Sequence, residues 1–252
     1  MRTNLFWLSD EQWDRIVPHL PTDVRGVERA DDRRVISGIV HVLRSGCRWC
    51  DCPPEYGPPT TIYNRFARWA ERGIWENLFR RLAENGRSTD TQMIDSTHVK
   101  AHRSAAGGKG GSKNRLLAAR AEGATRRSMH SQMLKGRLIA ILLTGGEAHD
   151  CPVAERLICR VEPPECMLGD KAYDSAELRE ELDEQGTKPV IPNRSNRKQP
   201  FRFSKRLYKL RWRIEAAFNR LKDFRRIATR YDKLARNYLA SVSLAAALVW
   251  WI

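Results

Sequence analysis

Acidic residues are the scarce class in this 252-residue chain: 30 Asp and Glu stand against 45 Lys and Arg, a formal net charge of +15. So lopsided a balance argues against a small-molecule enzyme and for a polyanionic partner. Long apolar runs are missing too. The most apolar stretch, residues 239–252 (LASVSLAAALVWWI), falls short of the roughly 20 residues of a membrane span and reads as a buried terminal helix. No basic stretch followed by an apolar run stands near Met1, so nothing reads as a secretory signal, and a cytoplasmic, nucleoid-associated protein is expected. The six cysteines are then expected to stay reduced. Cys47, Cys50 and Cys52 lack the companion pair that a structural zinc site needs. The glycine-rich segment 105–112 (AAGGKGGS) lacks the Gly-Lys-Ser/Thr ending of a nucleotide-binding loop, which excludes that use.

What is present suffices for a folded protein: 41% of residues are hydrophobic and 8% aromatic. A chain of this length accommodates two modest domains, and the pattern divides it into a helical region, residues 1–88, and a second domain, residues 89–252. Ser9 followed by Asp10, Glu11 and Gln12 has the form of a capping box leading into Trp13, Ile16 and Leu20, with Pro18 and Pro21 ending the helix early. Val35, Ile36, Ile39, Val40 and Leu43 form a second apolar stripe that stops at Ser45-Gly46. Thr60 or Thr61 is positioned to cap a third helix carrying Ile62, Phe66 and Trp69. On that helix Arg65, Arg68 and Arg72 recur at helical spacing, a basic surface suited to a DNA groove or to phosphates.

Beyond residue 90 the pattern changes. Met93 to Val99 reads as a strand, Arg137 to Thr144 as another, and Cys166 to Asp170 as a short third ending in an acid. Ser175 to Gln185 reads as an amphipathic helix, Pro189 to Pro192 as an extended piece, and residues 204–226 as one long helix. Strands with interleaved helices make a mixed α/β domain. Asp95 lies inside an apolar strand, where a charge needs a metal or a cation as partner. Asp170 stands at a strand end, where ligand sites of α/β sheets gather. On the long helix Tyr208, Arg211, Glu215 and Lys222 fall within a sector of about 60° at 100° per residue. Leu210, Ile214, Ala217, Phe218 and Leu221 fill the adjoining core sector.

The spacing Tyr208-x2-Arg211-x3-Glu215-x6-Lys222 resembles the signature of bacterial insertion-sequence DDE transposases, and Ile94-Asp95-Ser96-Thr97 and Gly169-Asp170-Lys171-Ala172-Tyr173-Asp174 resemble the segments around that family's two aspartates. LSDEQWDRI, DDRRVISGIVHVLRSGCRW and TTIYNRFARW are similar to the helical DNA-binding region of the insertion-sequence-five group. The resemblance implies an RNase H-like mixed sheet flanked by helices, with Asp95 on the first strand, Asp170 on the fourth and Glu215 on a later helix. It also implies catalysis and metal binding by Asp95, Asp170 and Glu215, with two Mg²⁺ ions, or Mn²⁺ as a substitute, in phosphoryl transfer on double-stranded DNA. Terminal inverted repeats and target DNA are the implied partners, with a homodimer or larger assembly holding two ends. Arg65, Arg68, Lys100, His102, Arg103, Tyr208, Arg211 and Lys222 are the DNA-contact candidates. A second basic run, Arg194, Arg197, Lys198, Arg202, Lys205 and Arg206, can line a DNA channel. His98, three residues from Asp95, points to the opposite face of an alternating strand and is not a ligand candidate.

One segment departs from the family pattern. Asn114 to Leu134 shows neither strand alternation nor a Thr-Lys-Ile-His type of core segment, so no second strand is expected to pair with the Asp95 strand there. A mismatch between matching flanks is what two compensating frameshifts across roughly residues 115–134 would produce, leaving an inactive copy. The rival readings are accordingly a DNA-binding regulator or inactive remnant without catalysis, and a nuclease that never rejoins strands.

Overall fold

The structure is a computed structural model that describes residues 4–22, 29, 31–84, 90–105, 126–133, 136–144 and 150–252. In chain order the elements are α1 (Asp10–Ile16), α2 (Asp32–Ser45), α3 (Pro59–Glu71), α4 (Ile74–Glu84), β1 (Thr91–Ala101), β2 (Arg126–Met133), β3 (Leu138–Thr144), α5 (Asp150–Ile158), β4 (Cys166–Leu168), α6 (Ala176–Glu184), β5 (Lys188–Val190), α7 (Lys205–Tyr208), α8 (Trp212–Lys222), α9 (Arg225–Ala228), β6 (Thr229–Arg230) and α10 (Ala235–Trp250). Two compact units result. One takes the described residues of Met1–Leu82, Ala101–Leu116 and Leu221–Ile252; the other takes those of Ala83–Lys100 and Leu117–Arg220.

The first unit is helical. Ser9 caps α1 through a complete capping box: its side chain accepts from Gln12 N–H, and the Gln12 side chain accepts from Ser9 N–H. A 3-10 turn containing Pro18 ends it, because proline supplies no amide to extend the helix. The apolar stripe of α2 is buried, and Gly46 closes that helix in the left-handed region (φ 78°) that glycine adopts without strain. Helix α3 begins with Pro58 as its N-cap and Pro59 in its first turn, not with a threonine cap, since proline's fixed φ already suits the first turn. Ile62, Phe66 and Trp69 of α3 and Trp75, Leu78 and Phe79 of α4 bury their apolar sides, and the Trp75 indole donates to the Phe66 carbonyl. Helix α10 packs on α2, α3 and α9 and is buried over most of its length, as expected of an apolar terminal helix. Among the described residues no helix is long and apolar enough to cross a membrane. The chain-order division at residue 88 therefore does not follow the compact units, because α10 covers the apolar stripes of the N-terminal helices.

The second unit is a mixed sheet with strand order β3-β2-β1-β4-β5. Strands β1, β2 and β3 pair antiparallel, while β4 runs parallel to β1 and β5 parallel to β4. The fold is thus of the expected α/β class, a mixed sheet flanked by helices, with the aspartate-bearing strand at its centre. One expectation is overturned. Strand β2 does form over Arg126–Met133, pairing back onto β1 with Asp95 opposite His130. Main-chain hydrogen bonds from neighbours on both edges hold it extended although its sequence shows no apolar alternation. The sheet beside Asp95 is continuous there, and residues 114–125 and 134 of the anomalous segment lie outside the described residues. A second difference concerns the long helix expected over 204–226. It is divided into α7, a 3-10 turn over Lys209–Arg211, α8 and α9.

Candidate active site

Alternation along β1 sets the geometry. Met93 and Asp95 are two residues apart and share a face of the strand. Met93 packs in one cluster with Leu168 of β4, Val190 of β5, and Ile214 and Phe218 of α8, so that face of the sheet is the one α8 covers. In the parallel register Met93 stands beside Leu168, and two more residues along each chain bring Asp95 to the level of Asp170. Adjacent strands lie about 4.8 Å apart, so the two carboxylates are neighbours by construction. Arg211 precedes Ile214 by three residues and continues its row on the helical segment. From there its Nη2 donates to Asp95 Oδ2 at 2.7 Å, and its Nη1 lies 3.9 Å from Asp170 Oδ2.

Each group is held on its other side. Asp95 Oδ1 accepts from Ser96 N–H at 2.9 Å, and Asp170 Oδ1 accepts from Ala172 N–H at 2.7 Å, capping the turn Lys171–Tyr173. Burial drives the Asp95 carboxyl up to about 6; Arg211 and the Ser96 amide counter it, while Asp170 and Glu215 add to the rise. Arg211 moves the other way. Burial opposes its charge most, yet Asp95, Asp170, Tyr208 and Glu215 together hold its pKa above the ordinary value. Glu215 is exposed on α8 beside buried Ile214, close enough to act electrostatically on both Asp95 and Arg211. Tyr208 meets Phe203 edge-on and lies under the Arg211 guanidinium at 5.9 Å.

The remaining DNA-contact candidates are distributed differently. Arg65 is largely buried in an ion pair with Asp32 and lies over the Trp69 ring, whereas Arg68 of the same helix is exposed. Lys100 is exposed at the end of β1, Arg103 is exposed in a 3-10 turn, and His102 meets the Tyr231 ring at a tilt, with centroids 4.7 Å apart. Lys222 ends α8 in an exposed position. Sequence reasoning assigns Asp174 no role, yet it is fully buried and organises the turn after Asp170. Its Oδ1 accepts from Arg179 Nε and Nη2, and its Oδ2 from Arg194 N–H and Arg197 Nε. Burial works against the charge of Asp174, but these donors hold its pKa below the ordinary value. The signal for it is the second aspartate of Gly169-Asp170-Lys171-Ala172-Tyr173-Asp174 followed by the basic run at 194–198.

A family model described as "Transposase DDE domain" matches residues 86–250, about two thirds of the chain. The chain belongs to the DDE transposases. A model of candidate IS4/5 transposases, associated with the domain of unknown function DUF4096, matches residues 8–79 of this transposase. A candidate transposase of insertion sequence element IS6501 from Brucella ovis is 34% identical over 117 residues, covering 46% of this chain and 89% of its own. The Sinorhizobium fredii protein y4sN is 36% identical over 106 residues, 40% of this chain and 82% of its own. Among solved structures, the piggyBac transposase synaptic complex with hairpin DNA covers 96% of this chain and 72% of its own at 11% identity and a TM-score of 0.49.

Membership of this family brings dependence on a divalent metal ion. The donor chemistry is compatible, since carboxylate oxygens are the ligands hard divalent cations take. Among the described residues, however, no group of three or more His, Cys, Asp or Glu side chains is gathered closely enough to hold an ion by itself. Between Asp95 and Asp170 the cation in place is the Arg211 guanidinium.

Proposed function

We propose that this transposase binds the terminal inverted repeats of its element through the helical region and cuts and joins DNA strands at Asp95, Asp170 and Glu215. The observation that carries the reading is the meeting of Asp95 and Asp170 around Arg211, with Glu215 one helical turn further along. Two Mg²⁺ ions held by the three carboxylates, or Mn²⁺ in their place, would supply stabilisation of the attacking and leaving oxygens in an in-line phosphoryl transfer. The protein's own groups do the positioning. Ser96 and Ala172 amides fix one oxygen of Asp95 and of Asp170, which leaves the other oxygen of each facing Arg211. Arg211 neutralises the carboxylates in the absence of other cations, and its planar fork suits bidentate contact with the scissile phosphate once they are neutralised otherwise. Lys222, Arg68, Lys100 and Arg103 are exposed cations suited to DNA backbone contact.

Strand transfer joins two ends, so the working assembly is proposed to be a dimer or larger. The continuous β1–β2 pairing favours a competent copy over the inactive-remnant reading. Cleavage of an element-end duplex tests the assignment. Asp95→Asn, Asp170→Asn and Glu215→Gln are expected to keep DNA binding and lose Mg²⁺-dependent cleavage by at least a hundredfold. Cleavage at the parental level in any of them overturns the role of that residue.

A further inference from the structure

The loop between β5 and α7 forms a site of its own. Asn193 and Phe201 clasp its base: Asn193 Nδ2 donates to the Phe201 carbonyl at 2.9 Å, and Phe201 N–H donates to Asn193 Oδ1 at 2.8 Å. Arg197 N–H donates to the Arg194 carbonyl, turning the chain between them. Beneath the loop, buried Asp174 receives Arg194 N–H and Arg197 Nε. The Arg194 guanidinium reaches back to the carbonyls of Lys171 and Ala172, at 3.2 and 2.8 Å, in the turn that follows Asp170. These contacts surround an open cavity of about 450 Å³ lined by Asp174, Arg194, Asn196, Arg197, Lys198 and Gln199.

The chemistry left facing that cavity is one-sided. Both carboxylate oxygens of Asp174, its one acid, are already occupied by Arg179, Arg194 and Arg197. Among the described residues, Arg194 Nη1, Arg197 Nη1 and the Lys198, Asn196 and Gln199 side chains donate to no acceptor. Arginines anchored through some of their donors present the rest in a fixed direction, which suits an anion with several oxygens. The ring nearby is committed elsewhere, since Arg179 and Arg197 lie over Phe201 at 4.6 and 4.9 Å, which leaves the site poorly suited to stacking a base.

We propose that this cavity is a phosphate-binding site for the sugar–phosphate backbone of a DNA strand, fixed to the Asp170 turn and indifferent to base sequence. The inference rests on the transposase reading. Its size accommodates a phosphodiester with its sugar, and Asn196 and Gln199 add neutral donors of the kind that contact backbone oxygens. Arg194, by tying the loop to Lys171 and Ala172, couples the position of the held phosphate to that of Asp170.

The test uses the full chain in Ca²⁺ or EDTA, with binding of an element-end duplex and an unrelated duplex followed by anisotropy from low to high KCl. Lys198→Glu breaks no internal contact, and Arg194→Gln removes the link to the Asp170 turn; an unchanged melting temperature for Lys198→Glu shows that its fold is intact. Both are expected to weaken the two duplexes alike, by about fivefold or more at 0.1 M salt. The salt slope is expected to fall by about 0.9 for each phosphate that the variant no longer neutralises. A scan of single methylphosphonate substitutions on the element end is expected to reveal one or two positions that weaken the parent and not Lys198→Glu. If no position behaves so, or the slope of Lys198→Glu equals that of the parent, the inference is overturned. Inorganic phosphate competes as a separate arm: tight phosphate binding abolished in Lys198→Glu with DNA binding unchanged makes this a small-anion site and overturns the DNA assignment. A parent that cleaves normally while these variants bind as it does refutes this inference alone. Phosphate coupling in a chain that never cleaves refutes the catalytic reading alone.

Discussion

Replacing Asp95 by Asn should make the metal-free protein more stable. The carboxyl of Asp95 is buried, and its pKa is raised from 3.8 to about 6 even with Arg211 attached. A displacement of one pH unit corresponds to about 1.36 kcal/mol, so carrying the charge at neutral pH costs about 3 kcal/mol relative to the protonated form. Asn has the same shape without the charge, and its carbonyl oxygen can still accept from Arg211 or from Ser96. The sign follows from the direction of the displacement. A group whose folded pKa lies above its unfolded one contributes stability that is whole below pH 3.8 and disappears as pH rises through 6. Asp95→Asn should therefore match its parent near pH 4, gain between pH 4 and 7, and exceed it at pH 8 by about 1 to 3 kcal/mol. At about 2 to 4 °C per kcal/mol for a protein of this size, that is a rise in Tm of roughly 2 to 12 °C by near-ultraviolet circular dichroism. Adding Mg²⁺ should raise the Tm of the parent and leave the variant where it was. A variant no more stable than the parent at pH 8, or an advantage that does not change with pH, refutes the argument.

Asp174→Asn leaves Arg179 buried beside a neutral amide and should cost about 3 to 5 kcal/mol in urea unfolding. Because the Asp174 pKa is lowered, the parent's contribution is whole above pH 3.8 and should be lost on acidification below it. Gly38→Ala places a Cβ 2.7 Å from Tyr56 Cβ, and the overpacking should lower the urea midpoint by an amount equivalent to about 1 to 3 kcal/mol despite alanine's better helix propensity. Burial pushes the Cys52 thiol up to about 12, so iodoacetamide at pH 8 should modify exposed Cys50 and Cys159 within minutes and spare Cys52 until the protein is unfolded, as read by peptide mass spectrometry.

Features set by neighbours in sequence are legible in the residues themselves. The capping box at Ser9, the stop at Gly46, the amphipathic helix α6 and the strand around Asp95 each follow from local chemistry or periodicity. Features that depend on distant partners are not. Strand β2 reads RRSMHSQM, with no apolar alternation, and exists through pairing with β1 and β3. The 3-10 turn over Lys209–Arg211 contains no proline or glycine to announce it. Helical spacing suggests Glu215 as the ordinary partner of Arg211, four residues away, yet its bonded acid is Asp95, 116 positions earlier. Helix α5 has no counterpart among the expected elements, and Arg65, a DNA-contact candidate by its helical spacing, has its charge engaged by Asp32.

The packing of α10 on α2 and α3 also dictates an order of events during synthesis. These helices are made first and their cover last, with about 140 residues between Leu82 and Leu221. At 5 to 20 residues per second the ribosome needs roughly 7 to 28 s for that interval. Throughout it the apolar stripe of Val35, Ile36, Ile39 and Val40 lacks its final partner. The helical unit is thus completed only after translation has passed the catalytic sheet, and a chain that stops early leaves that stripe open to chaperones and proteases.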